Sequence, residues 1–336
     1  MKIAVFEIEN WEREAFDALN AEHDIEFTRD ALTAETVQQY ADADIISTFI
    51  YSKLDRNILE KFQNLSLIAT RSTGTDHIDT DYCDENEIKV CNVPNYGENT
   101  VAEHVFGLLL NISHNLTEAI DRTRRGDFSL QGLQGFDLRG KTMGVIGTGS
   151  IGECVIGIAR GFGMNVLAFD VKPREELANR LGFRYAEMPE LLSQSDVVTL
   201  HVPAIPQTKN MIAAEQFQQM KRGMILINTA RGSLIDTQAL LQALSDGTVA
   251  AAGLDVLPEE PTMREEAELL RSVYRERHDM ETLLADHILL RLRNVIITPH
   301  SAFNTREAVQ RILDITADNI QSYLSKQPQG AIAASS

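Results

Sequence analysis

The chain has 336 residues, 43% hydrophobic and 24% charged, with a formal net charge of −18; this length allows two domains with sizeable cores, and the composition is that of an ordinary globular protein. Such an acidic balance argues against nucleic acid and anionic membranes as partners, and makes any arginine placed to draw in an anionic substrate informative. Cys83, Cys91 and Cys154 form no CxxC pair and read as reduced thiols of a cytoplasmic protein, and no apolar run has the length of a signal peptide or membrane span.

Residues 1–98 alternate short apolar runs with helical patterns. Strands are predicted over 2–8, 25–27, 44–49, 67–69 and 89–93, with helices between them that include 11–20, 34–40 and 56–62. This alternation implies a parallel sheet covered on both faces, a small doubly wound α/β domain. It has no glycine fingerprint, so holding a dinucleotide is not its expected task. The cluster PNYGEN at 94–99 is a turn, and the apolar run 100–114 after it is a helix. Thr100 and Glu103 have capping-box spacing, which starts the helix at Thr100 and accounts for Glu103; His104 reads as a packed helix residue. The helix is expected to carry the chain into a second domain, with a hinge at 95–100.

The stretch 142–170, TMGVIGTGSIGECVIGIARGFGMNVLAFD, reads as an apolar strand, a glycine turn, a helix closing at Gly161 and Gly163, and a second apolar strand ending on Asp170. Gly147 permits a tight turn, Gly149 lets backbone approach a pyrophosphate, and Gly152 lets helix pack on strand. The helix N-terminus adds free N–H groups and partial positive charge. A carboxylate at Asp170 can accept from both adenosine ribose hydroxyls and would repel a 2′-phosphate, so NAD is expected rather than NADP. Further strands are predicted over 183–185, 197–201, 224–228, 250–255 and 294–298. Functional residues belong at their carboxyl ends, where HVP (201–203), NTARG (228–232) and LDVLPEE (254–260) stand. Segment 261–293 is a charged helical insertion with an apolar stripe of Leu269, Leu270, Val273, Leu283 and Leu284. A helix over 305–324 follows, then a tail over 327–336 with a disorder-prone composition.

Moving hydride between a nicotinamide and a 2-hydroxy acid requires a grip on the carboxylate, a proton exchanged with the hydroxyl, and control of the base. Arg231, directly after an apolar strand and before a glycine, suits the first, because a guanidinium forks onto a carboxylate. His300 suits the second, since imidazole can give or take a proton at working pH. Glu260 suits the third, since a carboxylate on the far ring nitrogen stabilises imidazolium. Taken singly, a histidine is usually structural and Glu260 is one acid in an acidic loop.

The ordered set GTGSIG with Asp170, NTARGSLID, GLDVLPEE and ITPHSAF closely resembles the NAD-dependent D-2-hydroxyacid dehydrogenases, and within them the D-lactate dehydrogenase branch. The resemblance implies two doubly wound parallel-sheet domains with a cleft between them. Residues 1–98 with 299–336 would form a flavodoxin-like substrate domain, and 99–298 a Rossmann NAD domain. It implies Arg231, Glu260 and His300 as the catalytic residues. It puts Ser150 and Ile151 with the three glycines at the pyrophosphate, and Val202, Pro203 and Thr208 beside the adenosine. Thr229 and Asp255 fall near the nicotinamide ribose and carboxamide, with Ala230 and Arg231 in the same cofactor set. Thr73 and Gly74 match a loop whose amides meet the substrate carboxylate, and Tyr96 and Phe303 match aromatic positions beside the substrate.

Asn304 departs from the branch, where an aromatic often follows the phenylalanine, and so does the composition of 261–293. Both bear on the substrate side chain rather than on the reaction. Formate dehydrogenases resemble the chain but place glutamine where Glu260 stands. The expected activity is NAD-dependent reduction of small 2-keto acids to D-2-hydroxy acids, pyruvate to D-lactate first, by a cytoplasmic homodimer joined through the apolar helix 100–114. The alternatives are a non-catalytic NAD-sensing corepressor-like protein and a dehydrogenase of a larger or phosphorylated hydroxy acid.

Overall fold

The computed structural model describes residues 1–258 and 280–325. The chain divides into two compact units: residues 1–96 with the segment from Asn304 onward, and Gly97–Phe303. The first junction falls inside the predicted hinge. The second lies beyond the expected boundary at 298/299, so His300 and Phe303 belong to the larger unit.

In the smaller unit five parallel strands, β1 (Lys2–Val5), β2 (Asp24–Phe27), β3 (Ile45–Thr48), β4 (Leu67–Thr70) and β5 (Lys89–Cys91), lie in the order 2-1-3-4-5. This is the flavodoxin-like doubly wound order. The central strands β3 and β4 are buried along their whole length, so neither shows the alternation of apolar and polar residues that a half-exposed strand carries. The helix Arg306–Leu324 belongs to this unit, capped by the Thr305 hydroxyl and burying Val309, Ile312, Leu313 and Ile320.

The predicted strand 2–8 stops at Val5, and the cause is local. Glu7 takes a left-handed backbone (φ 54°), and its carboxylate accepts from the Tyr51 and Ser52 amides and the Ser52 hydroxyl. The buried Arg71 guanidinium donates to the Phe6 and Glu7 carbonyls that this bend exposes. Two of the predicted helices are largely 3-10 turns: Asn10–Phe16 precedes a single α turn, Asp17–Asn20, and 34–40 reduces to Val37–Tyr40. At the latter the Thr36 hydroxyl accepts from the Thr33 amide (3.0 Å), a local bond that competes with an earlier helical start.

The larger unit holds seven parallel strands: β6 (Thr142–Ile146), β7 (Asn165–Phe169), β8 (Arg184–Tyr185), β9 (Val197–Leu200), β10 (Met224–Asn228), β11 (Val249–Leu254) and β12 (Val295–Ile297). Their order, 12-11-10-9-6-7-8, reverses between β6 and β9. One face is covered by the helices Glu98–His114 and Ser150–Gly161, with Val105, Leu109, Val155 and Ile156 fully buried beneath them. The other packs on Leu191, Leu192, Phe217 and Leu240.

One expectation about the first helix fails. It starts at Glu98 after Gly97, so Thr100 is a buried interior residue, and the Glu103 carboxylate accepts from the Asn99 side chain. No capping box forms there. Most of the helix's apolar residues, Val101, Val105, Phe106, Leu108 and Leu109 among them, are buried, while Leu110 and Ile112 are half-buried. Within 261–293 only Met280–Leu289 is described as an element, a helix; Leu269, Leu270 and Val273, and the side chains of Leu283 and Leu284, lie outside the described residues.

Candidate active site

The glycine turn sits where the strand order reverses, the position at which open α/β sheets bind ligands. Gly147 has φ 95°, and a Cβ on it would stand 2.4 Å from the His201 carbonyl oxygen. A Cβ on Gly152 would stand 2.0 Å from the Gly147 carbonyl oxygen, so the helix Ser150–Gly161 can approach β6 only without a side chain there. Gly149 differs: a Cβ would meet nothing within 4 Å. The fold itself does not need that glycine, and the open space lies in front of the helix N-terminus, with Ser150 exposed and Ile151 half-buried beside it. An open, donor-lined helix start fits a pyrophosphate.

Asp170 follows β7 and is bonded to the glycine turn. Its Oδ2 accepts from the Thr148 amide (2.7 Å) and hydroxyl (2.9 Å), and its Oδ1 from the Lys172 amide (2.9 Å). Burial pushes its carboxyl up, but these donors and the nearby Arg174 outweigh that and hold it below the ordinary carboxylate range. Oδ2 is saturated, so Oδ1 is the oxygen with capacity for a ribose hydroxyl. With its own proton given to Asp170, the Thr148 hydroxyl takes the Tyr185 O–H (2.9 Å). Thr148 and Arg174, which donates to the Thr148 carbonyl and to Glu153 (3.2 Å), escape a reading built on the glycines and the acid alone.

After β9, Val202 is half-buried against the glycine turn and Pro203 is exposed. The Thr208 hydroxyl donates to the Pro203 carbonyl (2.6 Å) and accepts from the Ile205 amide (3.0 Å), closing that loop on itself. His201 keeps its Nε2 on the Thr199 hydroxyl (2.9 Å), and burial pushes its pKa down to about 3, so it is neutral at working pH.

Strands β10, β11 and β12 are neighbours and parallel, so their carboxyl ends share one edge. At the first, Asn228 accepts from the Ala230 amide (3.0 Å) and donates to the Arg231 carbonyl (2.8 Å), fixing the turn that presents Thr229, Ala230 and Arg231. The Thr229 hydroxyl is buried, with no hydrogen-bond partner among the described residues. A Cβ on the next residue, Gly232, would stand 2.3 Å from the Leu257 carbonyl carbon. The bare backbone there lets the segment leading toward Glu260 lie on the Arg231 turn; Glu260 itself lies outside the described residues.

Asp255, at the end of β11, is fully buried. Its Oδ1 accepts from the Ser301 amide (2.9 Å) and the Thr298 hydroxyl, and its Oδ2 from the Ala302 amide (2.9 Å). Its carbonyl accepts from the His300 amide (2.9 Å). Asp255 therefore holds the turn that carries His300, whose backbone is left-handed (φ 51°). Burial raises its carboxyl, while His104, Thr298 and the two amides outweigh burial and keep it ionised and below the usual range. Sequence reasoning set this residue beside the nicotinamide; the geometry gives it a turn to hold.

The remaining positions expected beside the substrate divide between the units. In the smaller one, the Thr73 hydroxyl donates to the Val93 carbonyl (2.8 Å), its carbonyl accepts from the Asn92 side chain (2.8 Å), and the Gly74 carbonyl accepts from the Ser72 hydroxyl (2.7 Å). These bonds fix the loop while using neither amide: the N–H groups of Thr73 and Gly74 have no acceptor among the described residues. Tyr96 is half-buried in the same unit, its carbonyl accepting from Arg311 (2.7 Å). Phe303 is half-buried at the end of the larger unit.

Comparison with known proteins bears on this geometry. Residues 106–302 match the family described as D-isomer specific 2-hydroxyacid dehydrogenase, NAD binding domain. The chain is 37% identical over 333 residues to a glycerate dehydrogenase of Methylorubrum extorquens, covering 96% of this chain and 98% of that one. It is 35% identical over 329 residues to a D-lactate dehydrogenase of Escherichia coli, covering 96% of each. Among solved structures, a D-lactate dehydrogenase of Aquifex aeolicus complexed with NAD and lactic acid superposes with a TM-score of 0.83 at 34% identity, over 97% of this chain and 96% of that one.

Proposed function

We propose, from the premise that this chain belongs to the D-isomer-specific 2-hydroxyacid dehydrogenases, which use NAD, that it reduces small 2-keto acids to D-2-hydroxy acids, with pyruvate to D-lactate the leading pair. The observation that supports this reading is the adjacency of the parallel strands β10, β11 and β12, whose carboxyl ends lead into Arg231, the Asp255 loop and the His300 turn, in the sheet that also carries the glycine turn after β6. Arg231 grips the substrate carboxylate through its forked donors. Thr73 and Gly74, whose amides have no acceptor among the described residues, are assigned to binding a carboxylate of the substrate. Gly149, the helix start and Asp170 hold the dinucleotide, which when bound supplies the hydride to the carbonyl carbon. His300, with Glu260 stabilising its protonated ring, gives the proton to the carbonyl oxygen, so C=O becomes CH–OH. Tyr96 and Phe303 border the substrate side chain.

The same reading takes the enzyme as a cytoplasmic homodimer. Its support is the exposure of Phe128 and Leu130 (79% and 84%) in the larger unit, and buried reduced thiols such as Cys83, which burial pushes up to about 12. The mass in solution should then be twice the 37.5 kDa of the chain.

The deciding experiment is a panel of pyruvate, hydroxypyruvate, glyoxylate and phenylpyruvate, each with NADH and NADPH. Turnover is expected with NADH, fastest with pyruvate. A preference for hydroxypyruvate would move the enzyme toward its glycerate-acting relative, and tight NADH binding without turnover on any of the four would replace the dehydrogenase with an NAD-sensing protein.

A further inference from the structure

The first helix of the larger unit carries an imidazole to the back of the turn that bears His300. His104 Nε2 lies 3.0 Å from the Thr298 hydroxyl oxygen and 3.4 Å from Asp255 Oδ1. The Thr298 hydroxyl has a single proton, and the Asp255 carboxylate, which only accepts, takes it. The Thr298 oxygen is therefore an acceptor toward His104, which fixes the Nε2–H tautomer. The result is a directed chain: His104 N–H to Thr298 O–H to the Asp255 carboxylate, which in turn holds the Ser301 and Ala302 amides. The His300 amide is pinned between the Thr298 and Asp255 carbonyls, both at 2.9 Å. The amides of His300, Ser301 and Ala302 are thus all tied to this network, and the left-handed φ of 51° at His300 is a conformation that needs such restraint in a residue with a side chain.

We propose that His104 is a positioning residue for His300, acting through Thr298 and Asp255 to fix the placement of the imidazole that delivers the proton. This rests on the reading of His300 as proton donor. His104 joins the helix to a turn remote in sequence, so the orientation of His300 is set by the rigid body of the nucleotide-binding sheet as well as by its own loop. A small misplacement of a proton donor can cost about 10²-fold in rate, so the loss should appear in kcat rather than in binding.

The test is His104→Phe, which keeps the ring volume and removes the donor, against His104→Gln, whose amide N–H can occupy the Nε2 position. With pyruvate and NADH, H104F should lower kcat about 10- to 100-fold, with KM for pyruvate and Kd for NADH within about 2-fold of wild type. H104Q should recover most of the loss. On a His300→Ala background H104F should cost nothing further, because its effect runs through His300. Independently of turnover, the His300 resonance in ¹³C-histidine-labelled protein should shift or split in H104F and keep its wild-type position in H104Q. Should H104F fail to fold, Thr298→Val cuts the same chain from its other end and should reproduce the kcat loss and the resonance change. An unmoved His300 resonance with wild-type kcat, a loss that H104Q leaves in place, or an equal further loss on the H300A background would overturn the proposal. Full turnover by H300A alone would instead remove the proton-donor assignment while the resonance test still reports on positioning.

Discussion

Asp170 enters cofactor binding with part of its acceptor capacity already committed. Two donors from Thr148 and one from Lys172 fix the carboxylate, so on the proposed reading its negative charge stands against a 2′-phosphate. Asp170→Ser should therefore cut kcat/KM with NADH about 10-fold and raise it with NADPH, in keeping with an exchange of one charge-assisted hydrogen bond for a lost repulsion; steady-state rates with both cofactors measure it. His201 governs a different property. Its folded pKa is depressed to about 3 by burial, against about 6.5 in the unfolded chain. Between those values the unfolded chain holds the extra proton, so stability is fully present above pH 6.5 and is lost as pH falls, by up to about 1.4 kcal/mol per unit from this one group. The depressed carboxylates Asp170 and Asp255 act in the same direction but only below about pH 4. Urea midpoints at pH 7.5, 6.5, 5.5 and 4.5 should decline from 6.5 downward in the wild type and more shallowly in His201→Gln. Equal slopes in both would assign the acid sensitivity elsewhere.

At the scale of one element, the glycine turn separates what the fold needs from what the ligand needs. Gly152→Ala puts a methyl 2.0 Å from the Gly147 carbonyl oxygen, an overpacking that should cost about 1–3 kcal/mol of stability. Gly149→Ala meets only open space and should leave the melting temperature unchanged while weakening NADH at least 10-fold, because the methyl occupies the path by which backbone reaches the pyrophosphate. Calorimetry and NADH fluorescence titration on the two variants read the split; a Gly149→Ala protein with normal NADH affinity would move the pyrophosphate away from this turn. The same turn was legible in sequence because glycine spacing, strand and helix all act within about thirty neighbouring residues. Strands such as β3, β4 and β9 were legible for a related reason: buried on both faces, they carry no polar alternation to confuse them. What escaped was decided at a distance. The end of β1 depends on Glu7 reaching residues 51 and 52. His104 looked like packing because its partner lies 194 positions away, and a capping-box pattern at Thr100 and Glu103 offered a local explanation that the earlier helix start at Glu98 displaces.

The whole molecule is two sheets of different order, and only the larger carries the glycine turn, the Asp170 carboxylate and the His300 turn. A ligand that binds the folded state alone stabilises it by mass action, about 2.7 kcal/mol at a hundredfold excess over its Kd, and that gain is felt by the unit that makes the contacts. NADH alone should therefore slow amide exchange across 147–152 and 170–174 in the larger unit and leave the loop 72–75 of the smaller unit exchanging as in the free protein. The Thr73 and Gly74 amides have no internal acceptor among the described residues, so they start from the fast-exchanging end of the range. Adding oxamate, an unreactive pyruvate mimic, to the NADH complex should then protect 72–75, since its carboxylate supplies the acceptor those amides lack. Exchange mass spectrometry on the free protein, the NADH complex and the ternary complex distinguishes the contributions. Protection of 72–75 by NADH alone would mean that the loop answers to the dinucleotide, and its assignment to the substrate carboxylate would fall.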